Sequence, residues 1–224
     1  MIKVDPDFIT FEGIFAMLLS IKSKTSCGPD NIPNVFLRRY AESLARFLVE
    51  IFRSSLSQGI VPKDWLIARV VPVFKKGDNA IVTNYRPISL TVSCCKLMEH
   101  IISNYILNFL DERNILSPFQ HGFRKGLSTT TQLITSIHSF SAVIDKSGQT
   151  DVVFIDFSKA FDRISHSKLI FKLNLLGLPS TIVNWIKSYL HSRVQFVDIN
   201  GSHSDFLPVN SGVPQGSVLG PLLS

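Results

Sequence analysis

The sequence predicts an α+β fold in which helices pack on a sheet with mainly antiparallel pairing. Segments with helical spacing of apolar residues are mixed with strand-like segments, but the two kinds do not alternate strictly as they do in parallel doubly wound folds. Two pairs of strand-like segments flank short turns, which favours hairpins. The chain has 224 residues, 45% of them hydrophobic, which is enough to bury a core in one large or two small domains.

The first part of the chain is predicted to be helical. Thr10 is a typical N-cap residue, and the apolar residues after it recur at helical spacing. A Gly-Pro-Asp-Asn turn follows at residues 28–31. A long helix comes next, and Gly59 and Pro62 end it. Its apolar stripe is predicted to contain Leu37, Tyr40, Leu44, Phe47, Leu48, Ile51 and Leu56. We interpret residues 1–58 as a helical extension that leads into the main domain, residues 59–224.

The pattern then changes to one typical of strands. Residues 68–74 are rich in valine, residues 75–79 are a charged turn, and residues 86–90 can return as a second strand. A hairpin with a basic tip is therefore predicted. A helix over residues 92–112 follows. Ser128 can cap another helix, whose apolar face is predicted to contain Leu133, Ile137, Phe140 and Ile144.

The remaining elements are a strand, two helices and a second hairpin. Residues 152–157 are almost wholly apolar apart from Asp156 and predict a short buried strand. Of the two helices, one is ended by Gly177 and the next begins at Pro179. Residues 194–199 and 206–209 flank an Asn-Gly pair, which is typical of a tight hairpin turn.

Composition and charge restrict the class of protein. No apolar run reaches the roughly 18 residues of a membrane-spanning helix, and acidic residues stand where a signal peptide would be apolar. The spacing of Cys27, Cys94 and Cys95 suits neither a disulfide nor a zinc site. We therefore expect reduced thiols and an intracellular location, in cytoplasm or nucleus, with no membrane partner. The net charge of +6 favours a polyanionic partner, although a solvated basic surface explains it equally well.

Asp156 is the first candidate for chemistry. It follows four apolar residues at the end of the predicted buried strand. An ionised carboxylate is costly there without a positive partner, and a divalent metal ion would supply one. The alternative is that Asp156 begins a turn or caps a helix, as most aspartates at strand ends do. This segment alone leaves both interpretations open.

Four segments with distinctive motifs follow one another along the chain: residues 71–90 (VPVFKKGD and NYRPISL), 119–129 (FQHGFR and ST), 154–162 (FIDFSKAFD) and 211–222 (SGVPQGSVLGPL). They resemble motifs of the reverse transcriptases carried by non-LTR, LINE-like retrotransposons. Four long motifs in the family's order make a specific match. The resemblance implies a right-hand polymerase fold, with fingers and a partial palm whose antiparallel sheet packs on helices.

The resemblance also implies roles around the third segment. The Asp156 carboxylate would bind both catalytic metal ions, and the Phe157 carbonyl would bind one of them. These ions would be Mg²⁺, with Mn²⁺ as the alternative. The backbone amides at Lys159 and Ala160 would hold the incoming triphosphate. Phe161 would lie under the sugar of that nucleotide.

Basic residues in the first two segments would contact phosphates if the resemblance holds. Lys75 and Lys76 at the hairpin tip, with Lys76 preferred, and Arg86 would grip the triphosphate. On sequence alone a solvated turn is the commoner role of a pair such as Lys75 and Lys76. Arg86 has the alternative of an ordinary surface position, but the motif around it favours phosphate contact. Arg124 either pairs with an acidic neighbour or touches template phosphates.

The fourth segment contains a Pro-Gln-Gly turn that would contact nucleotide and template. Gln215 is the expected nucleotide contact, and Gly212, Pro214 and Gly216 are expected to let the backbone approach nucleic acid closely. His121 and His166 stand apart from other metal-ligand candidates and are interpreted as structural. Asp162 is expected to cap the helix after it rather than to bind metal.

The implied partners are an RNA template, a DNA primer and deoxynucleoside triphosphates. The implied reaction is two-metal transfer of a nucleotide to the 3′-hydroxyl of the primer. The family's other carboxylates come from an aromatic-x-Asp-Asp turn, and the sequence contains no Asp-Asp pair. We therefore expect a truncated copy or partial gene model, without thumb or endonuclease and inactive alone. The alternatives are a catalytically inactive remnant that binds nucleic acid and an intron maturase with a reverse transcriptase domain. The sequence does not predict the oligomeric state.

Overall fold

A computed structural model describes residues 8–22 and 27–224 of the chain. The described residues form two compact units: residues 8–22, 27–106 and 160–224 are unit 1, and residues 107–159 are unit 2. The helices are α1 (Phe11–Ser20), α2 (Asn34–Arg39), α3 (Ala41–Gln58), α4 (Ser93–Glu112), α5 (Thr129–Ile144), α6 (His166–Leu175), α7 (Ser180–Leu190) and α8 (Gly220–Leu223). The strands are β1 (Ile67–Phe74), β2 (Tyr85–Leu90), β3 (Val194–Ile199), β4 (Ser202–His203) and β5 (Leu207–Pro208). Within the described ranges, no helix is both long and apolar enough to cross a membrane.

Local sequence signals set the ends of the first helices. Thr10 Oγ1 accepts a hydrogen bond from the Gly13 amide at 3.1 Å, which confirms the predicted N-cap. Gly59 ends α3 in the left-handed conformation, with φ of 65°. The single long helix predicted before it is wrong, because Tyr40 has φ of −104° and ψ of 26° and separates α2 from α3.

The buried face of α3 is rotated from the predicted apolar stripe. Phe47 is 68% exposed, and Tyr40 and Ile51 are also exposed. The buried residues of this helix are Ala41, Ala45, Leu48, Val49, Phe52, Ser55 and Leu56. Trp185 of α7 donates its indole N–H to Ser55 Oγ at 2.9 Å, so a small polar residue lies at the contact of α3 with α7. Hydrophobicity alone does not predict that position.

The sheet lies in unit 1 and has the order β2-β1-β3-β4, with β5 also paired to β3. β1 and β2 are antiparallel and pair from Phe74 with Tyr85 to Arg69 with Leu90, which confirms the first hairpin. Asn200 and Gly201 both have positive φ, 52° and 84°, and β3 returns through this turn to pair antiparallel with β5. β1 and β3 are parallel. The fold is thus α+β with antiparallel pairs predominating, and the parallel pair was not predicted.

Residues 152–157 do not form the predicted strand. They have no backbone partner among the described residues, and Val153, Phe154, Ile155 and Phe157 are 81%, 94%, 82% and 79% exposed. A strand without neighbours has no ladder of hydrogen bonds and does not persist alone. The expected burial of the strand end is wrong for the same reason, and Asp156 is exposed.

Helix α5 begins as predicted but buries less than predicted. Ser128 and Thr131 form a reciprocal capping box, with the Thr131 amide 3.2 Å from Ser128 Oγ. The expected apolar face is not covered, since Leu133, Ile137 and Ile144 are 60%, 59% and 64% exposed. Apart from α5, unit 2 contains only the end of α4 and irregular segments, which offer no second surface of regular structure.

Candidate nucleotide and nucleic-acid site

The Pro-Gln-Gly turn, residues 211–217, is fixed by hydrogen bonds of its own backbone within unit 1. The Gly212 amide donates to Ile164 O at 2.8 Å, and the Val213 amide donates to Phe161 O at 2.8 Å. On another side, Gln215 O accepts from the Ser89 amide of β2 at 2.7 Å. The turn is therefore held between β2 and residues 161–164.

Two glycines allow this close packing. Gly212 has φ of 80°, and a Cβ there would lie 2.6 Å from Phe161 O. Gly216 has φ of 110°, and its Cβ would lie 3.1 Å from Ser89 O. Both positions disfavour any other residue. The close approach expected of these glycines is made to the chain's own backbone.

A cleft of about 340 Å³ lies beside the turn. Its walls are formed by Ala68, Pro87, Ser89, Asp162, Arg193, Gln195 and residues 208–215. Gln215 Oε1 and Arg193 Nη2 are buried and have no hydrogen-bond partner in the described part of the chain. Buried polar atoms without partners are costly, so a ligand that supplies a donor and an acceptor would be favoured here. The volume is in the range of small-molecule sites.

The hairpin of β1 and β2 presents the predicted basic residues. Lys75 and Lys76 are exposed at its tip, where the Lys75 amide donates to Asn84 O at 2.9 Å and closes the turn. Arg86 is exposed and pairs across the ladder with Val73. Because side chains alternate along a strand, Arg86 leaves the opposite face of β2 from the cleft-lining Pro87. The structure therefore orders the hairpin without placing Arg86 in the cleft.

The segment that resembles the first catalytic motif is divided between the two units. Asp156, Phe157 and Lys159 belong to unit 2 and are exposed, whereas Ala160 and Phe161 belong to unit 1. Lys159 has φ of 56°, an uncommon value for a residue with a side chain. In unit 1, the carbonyl of Phe161 anchors the Pro-Gln-Gly turn.

The residues present do not fit a pair of divalent ions. Within residues 8–22 and 27–224, no three His, Cys, Asp or Glu side chains are grouped so that they could hold a metal. A two-metal site requires several oxygen ligands that converge on ions about 4 Å apart. One exposed carboxylate, Asp156, and the neighbouring Phe157 carbonyl do not supply that set.

Arg124 pairs with an acidic neighbour inside unit 2. Its Nη2 lies 3.0 Å from Asp111 Oδ1, and its Nη1 donates to Ser117 O at 3.1 Å. This is one of the two alternatives for this residue. Contact of Arg124 with template phosphates remains a proposal. It requires that the ion pair with Asp111 opens, or that the guanidinium binds a phosphate and Asp111 at the same time.

The histidines make contacts within the protein. His121 Nδ1 lies 2.8 Å from Thr131 Oγ1, and His166 Nε2 donates to Gly212 O at 2.7 Å. His166 thereby supports the Pro-Gln-Gly turn. The expected cap at Asp162 is wrong, since Ser165 is the N-cap of α6; Asp162 instead lines the cleft.

Two buried charged residues near the turn were not singled out from the sequence. Glu99 is 0% exposed and Arg193 is 2% exposed. Glu99 Oε2 accepts from the amides of Val218 at 2.8 Å and Leu219 at 3.1 Å. Burial raises the pKa of Glu99, and these two amides, then the Arg193 charge, oppose that rise. A signal existed in the sequence: Glu99 falls on the apolar face of α4, between Cys95 and Ile102.

Comparison with known proteins gives a consistent result. Residues 73–224 match the family model described as reverse transcriptase (RNA-dependent DNA polymerase). The chain is 37% identical over 216 residues to the probable RNA-directed DNA polymerase from transposon BS of Drosophila melanogaster, covering 96% of this chain and 24% of the relative. It is 33% identical over 216 residues to the RNA-directed DNA polymerase from mobile element jockey of the same species, with coverages of 96% and 24%.

A third relative is the probable RNA-directed DNA polymerase from transposon X-element of Drosophila melanogaster, 32% identical over 197 residues, with 88% of this chain and 22% of the relative covered. The chain thus spans about a quarter of the length of the curated relatives it matches. The four motif segments occur in the expected order, and three of them lie wholly inside the matched range of residues 73–224. The chain belongs to the reverse transcriptase (RNA-dependent DNA polymerase) family, and the relatives named here are RNA-directed DNA polymerases from transposable elements.

Proposed function

We propose that this chain forms the fingers and part of the palm of a retrotransposon polymerase that copies an RNA template onto a DNA primer from deoxynucleoside triphosphates. Residues 59–224 would form this domain, and residues 1–58 a helical extension that leads into it. The names of the relatives from transposon BS and jockey support the activity. The observation that carries the proposal is the rigidly held Pro-Gln-Gly turn, whose Gln215 Oε1 is buried without a partner beside a cleft.

The cleft and the turn suit a nucleotide. Gln215 Oε1 can accept a hydrogen bond from a sugar hydroxyl or a base, and Arg193 Nη2 can donate one. The Phe161 carbonyl is fixed against the turn by the 2.8 Å bond from the Val213 amide, and its ring is proposed to contact the sugar. The amides of Lys159 and Ala160 are proposed to hold the phosphates.

The exposed cations suit the phosphates of nucleic acid. Lys75, Lys76 and Arg86 project from one ordered hairpin, and they supply three of the 23 Lys and Arg charges of a chain whose net charge is +6. Phosphate contacts supply most of the affinity of sequence-independent binding. Pro214, Gly212 and Gly216 would then bring the turn backbone close to the template.

The residues around Asp156 do not support two-metal chemistry in this chain by itself. In two-metal polymerases the ions activate the primer hydroxyl and neutralise the triphosphate. Asp156 would be one of their ligands, but the donor set around it does not fit them, as described above. This observation favours a second candidate function for the chain alone: a nucleic-acid-binding remnant without catalysis.

A pair of matched triple variants tests the binding proposal. Replacing Lys75, Lys76 and Arg86 by Ala should weaken binding of a fluorescein-labelled RNA–DNA hybrid about tenfold or more at low salt, irrespective of sequence, and reduce the salt dependence of binding. The control replaces three exposed lysines of α6 and α7, Lys168, Lys172 and Lys187, by Ala. Both variants lose the same charge. Equal losses of affinity would contradict a specific role for the hairpin, and unchanged binding in the first variant would refute it.

A further inference from the structure

Glu99 is a buried acid with two backbone contacts to one segment. It lies on α4, is 0% exposed, and its Oε2 is 2.8 Å from the Val218 amide and 3.1 Å from the Leu219 amide. Its other oxygen accepts a weak hydrogen bond from Cys95 Sγ at 3.7 Å. Burying a carboxylate costs free energy unless hydrogen bonds and charge compensate. A leucine would pack this helix face without that cost, so packing alone does not explain Glu99.

The segment that Glu99 holds is the exit of the Pro-Gln-Gly turn. Leu219 is 0% exposed, so its amide has no access to water and depends on Glu99 for a partner. Two residues before Leu219, Ser217 Oγ donates to Pro214 O at 2.8 Å and accepts from the Gly220 amide at 2.9 Å. These bonds transmit the position of residues 218–220 back to Pro214. Gln215 follows directly.

Arg193 connects the same network to the cleft. Its Nη1 donates to Tyr189 O at 3.2 Å, and its Cζ lies 4.8 Å from the centre of the Tyr189 ring. It lines the cleft together with Gln215. Its positive charge acts favourably on the Glu99 carboxylate. Glu99 thus acts on Arg193 through charge and on Gln215 through the backbone of the turn, and both of these residues line the cleft.

We propose that Glu99 is a positioning residue: its carboxylate fixes residues 218–219, and through them it sets the place of Gln215 in the cleft. The entrance of the turn is fixed by Phe161, Ile164 and His166, and its centre by Ser89. The exit is held by the Glu99 side chain of α4. The positioning role for binding rests on the proposed function, whereas the fixation of the exit does not.

The test compares local and global effects in the 224-residue chain. Hydrogen–deuterium exchange is measured for peptides that cover residues 211–223 and for peptides of α3 and α7. In Glu99→Ala, exchange of the turn peptides should rise about tenfold or more, because two amides lose their acceptor, while α3 and α7 change little. Glu99→Gln retains an oxygen that can accept both bonds and should give an intermediate rate.

Ile102→Ala is the control for general loss of stability. This residue lies on the same buried face of α4, is 0% exposed, and makes no hydrogen bond to the turn. It should raise exchange in α3, α7 and the turn alike. If Glu99→Ala gives the same uniform pattern, or leaves the turn peptides unchanged, Glu99 does not position the turn.

Binding of a fluorescein-labelled RNA–DNA hybrid separates the two proposals. Glu99→Ala should weaken it severalfold, and Glu99→Gln should restore part of the loss. Faster exchange of the turn with unaltered affinity overturns the link to binding. If the parent chain does not bind the hybrid, the proposed function fails, and the exchange measurement still decides whether Glu99 holds the turn. If Glu99→Ala does not fold, the decision rests on Glu99→Gln against Ile102→Ala.

Discussion

Gly212 shows how a single residue determines the shape of the candidate site. It combines a φ of 80° with a backbone carbonyl, that of Phe161, 2.6 Å from the position where a Cβ would lie. A side chain would therefore meet two penalties, the left-handed conformation and a contact that only a backbone shift can relieve.

Gly212→Ala should destabilise the chain more than the same replacement at a glycine that has a positive φ but no atoms near the position of the added Cβ. Gly201→Ala is that control, because Gly201 has φ of 84° and open space where its Cβ would lie. The left-handed conformation costs about 1–2 kcal/mol, and the forced shift at Gly212 about 1–3 kcal/mol more. Urea unfolding measures both free energies. Equal losses would show that the turn can move away from Phe161 at no cost.

Single residues of the site also differ in whether the sequence could predict them. Gly212 and Gly216 were predicted as points of close approach because glycine is the residue that allows it. Glu99 was not predicted, since its partners are backbone amides more than a hundred residues away, at Val218 and Leu219. An acid on the apolar face of a predicted helix gives no indication in the sequence of which distant amides it accepts from.

At the level of elements, local sequence signals predicted most of the boundaries of helices and turns. The strand pairing between distant segments was not predicted. The caps at Thr10 and Ser128 and the Asn-Gly turn at residue 200 are decided within a few residues, and the structure has all three. The parallel pairing of β1 with β3 joins Ile67 to Val194, a contact that no local pattern specifies. The strand predicted at residues 152–157 failed for the converse reason. Its apolar composition is suited to a strand, but it has no neighbour to pair with.

That segment should be the first part of the chain to be cleaved by chymotrypsin. Phe154 and Phe157 are 94% and 79% exposed in irregular backbone, and proteases cut exposed segments that open without unfolding a core. Phe47 provides the comparison, because it is 68% exposed but lies within α3. Early products are identified by mass spectrometry, and cuts after Phe154 or Phe157 should precede any cut after Phe47.

A double replacement serves as the control for this experiment. Phe154→Ser with Phe157→Ser removes both cleavage sites without touching the core of unit 1, so early cleavage in this segment should disappear. Cleavage at Phe47 at the same rate as at Phe154 would mean that α3 opens as readily as the irregular segment. The exposure seen in the structure would then not describe the stability of these regions.

For the whole molecule, the sequence motifs predicted the family better than they predicted the arrangement of the residues they contain. The match over residues 73–224 confirms the resemblance. Gln215 and Phe161 come together in unit 1, whereas Asp156 and Arg124 fall in unit 2. A motif indicates the role that its residues have in a complete fold. The spacing of those residues along the chain does not specify the tertiary contacts that position them.

The 224-residue chain should show no primer extension on an RNA template with Mg²⁺ or Mn²⁺. Two-metal transfer requires several carboxylates in one place, and the described residues contain no group of three potential ligands. Purified protein is assayed for incorporation of labelled deoxynucleotide, beside an active reverse transcriptase as positive control. Template-dependent incorporation that Asp156→Ala abolishes would show that the chain assembles a working metal site, possible only if Asp156 recruits ligands that the present arrangement keeps apart.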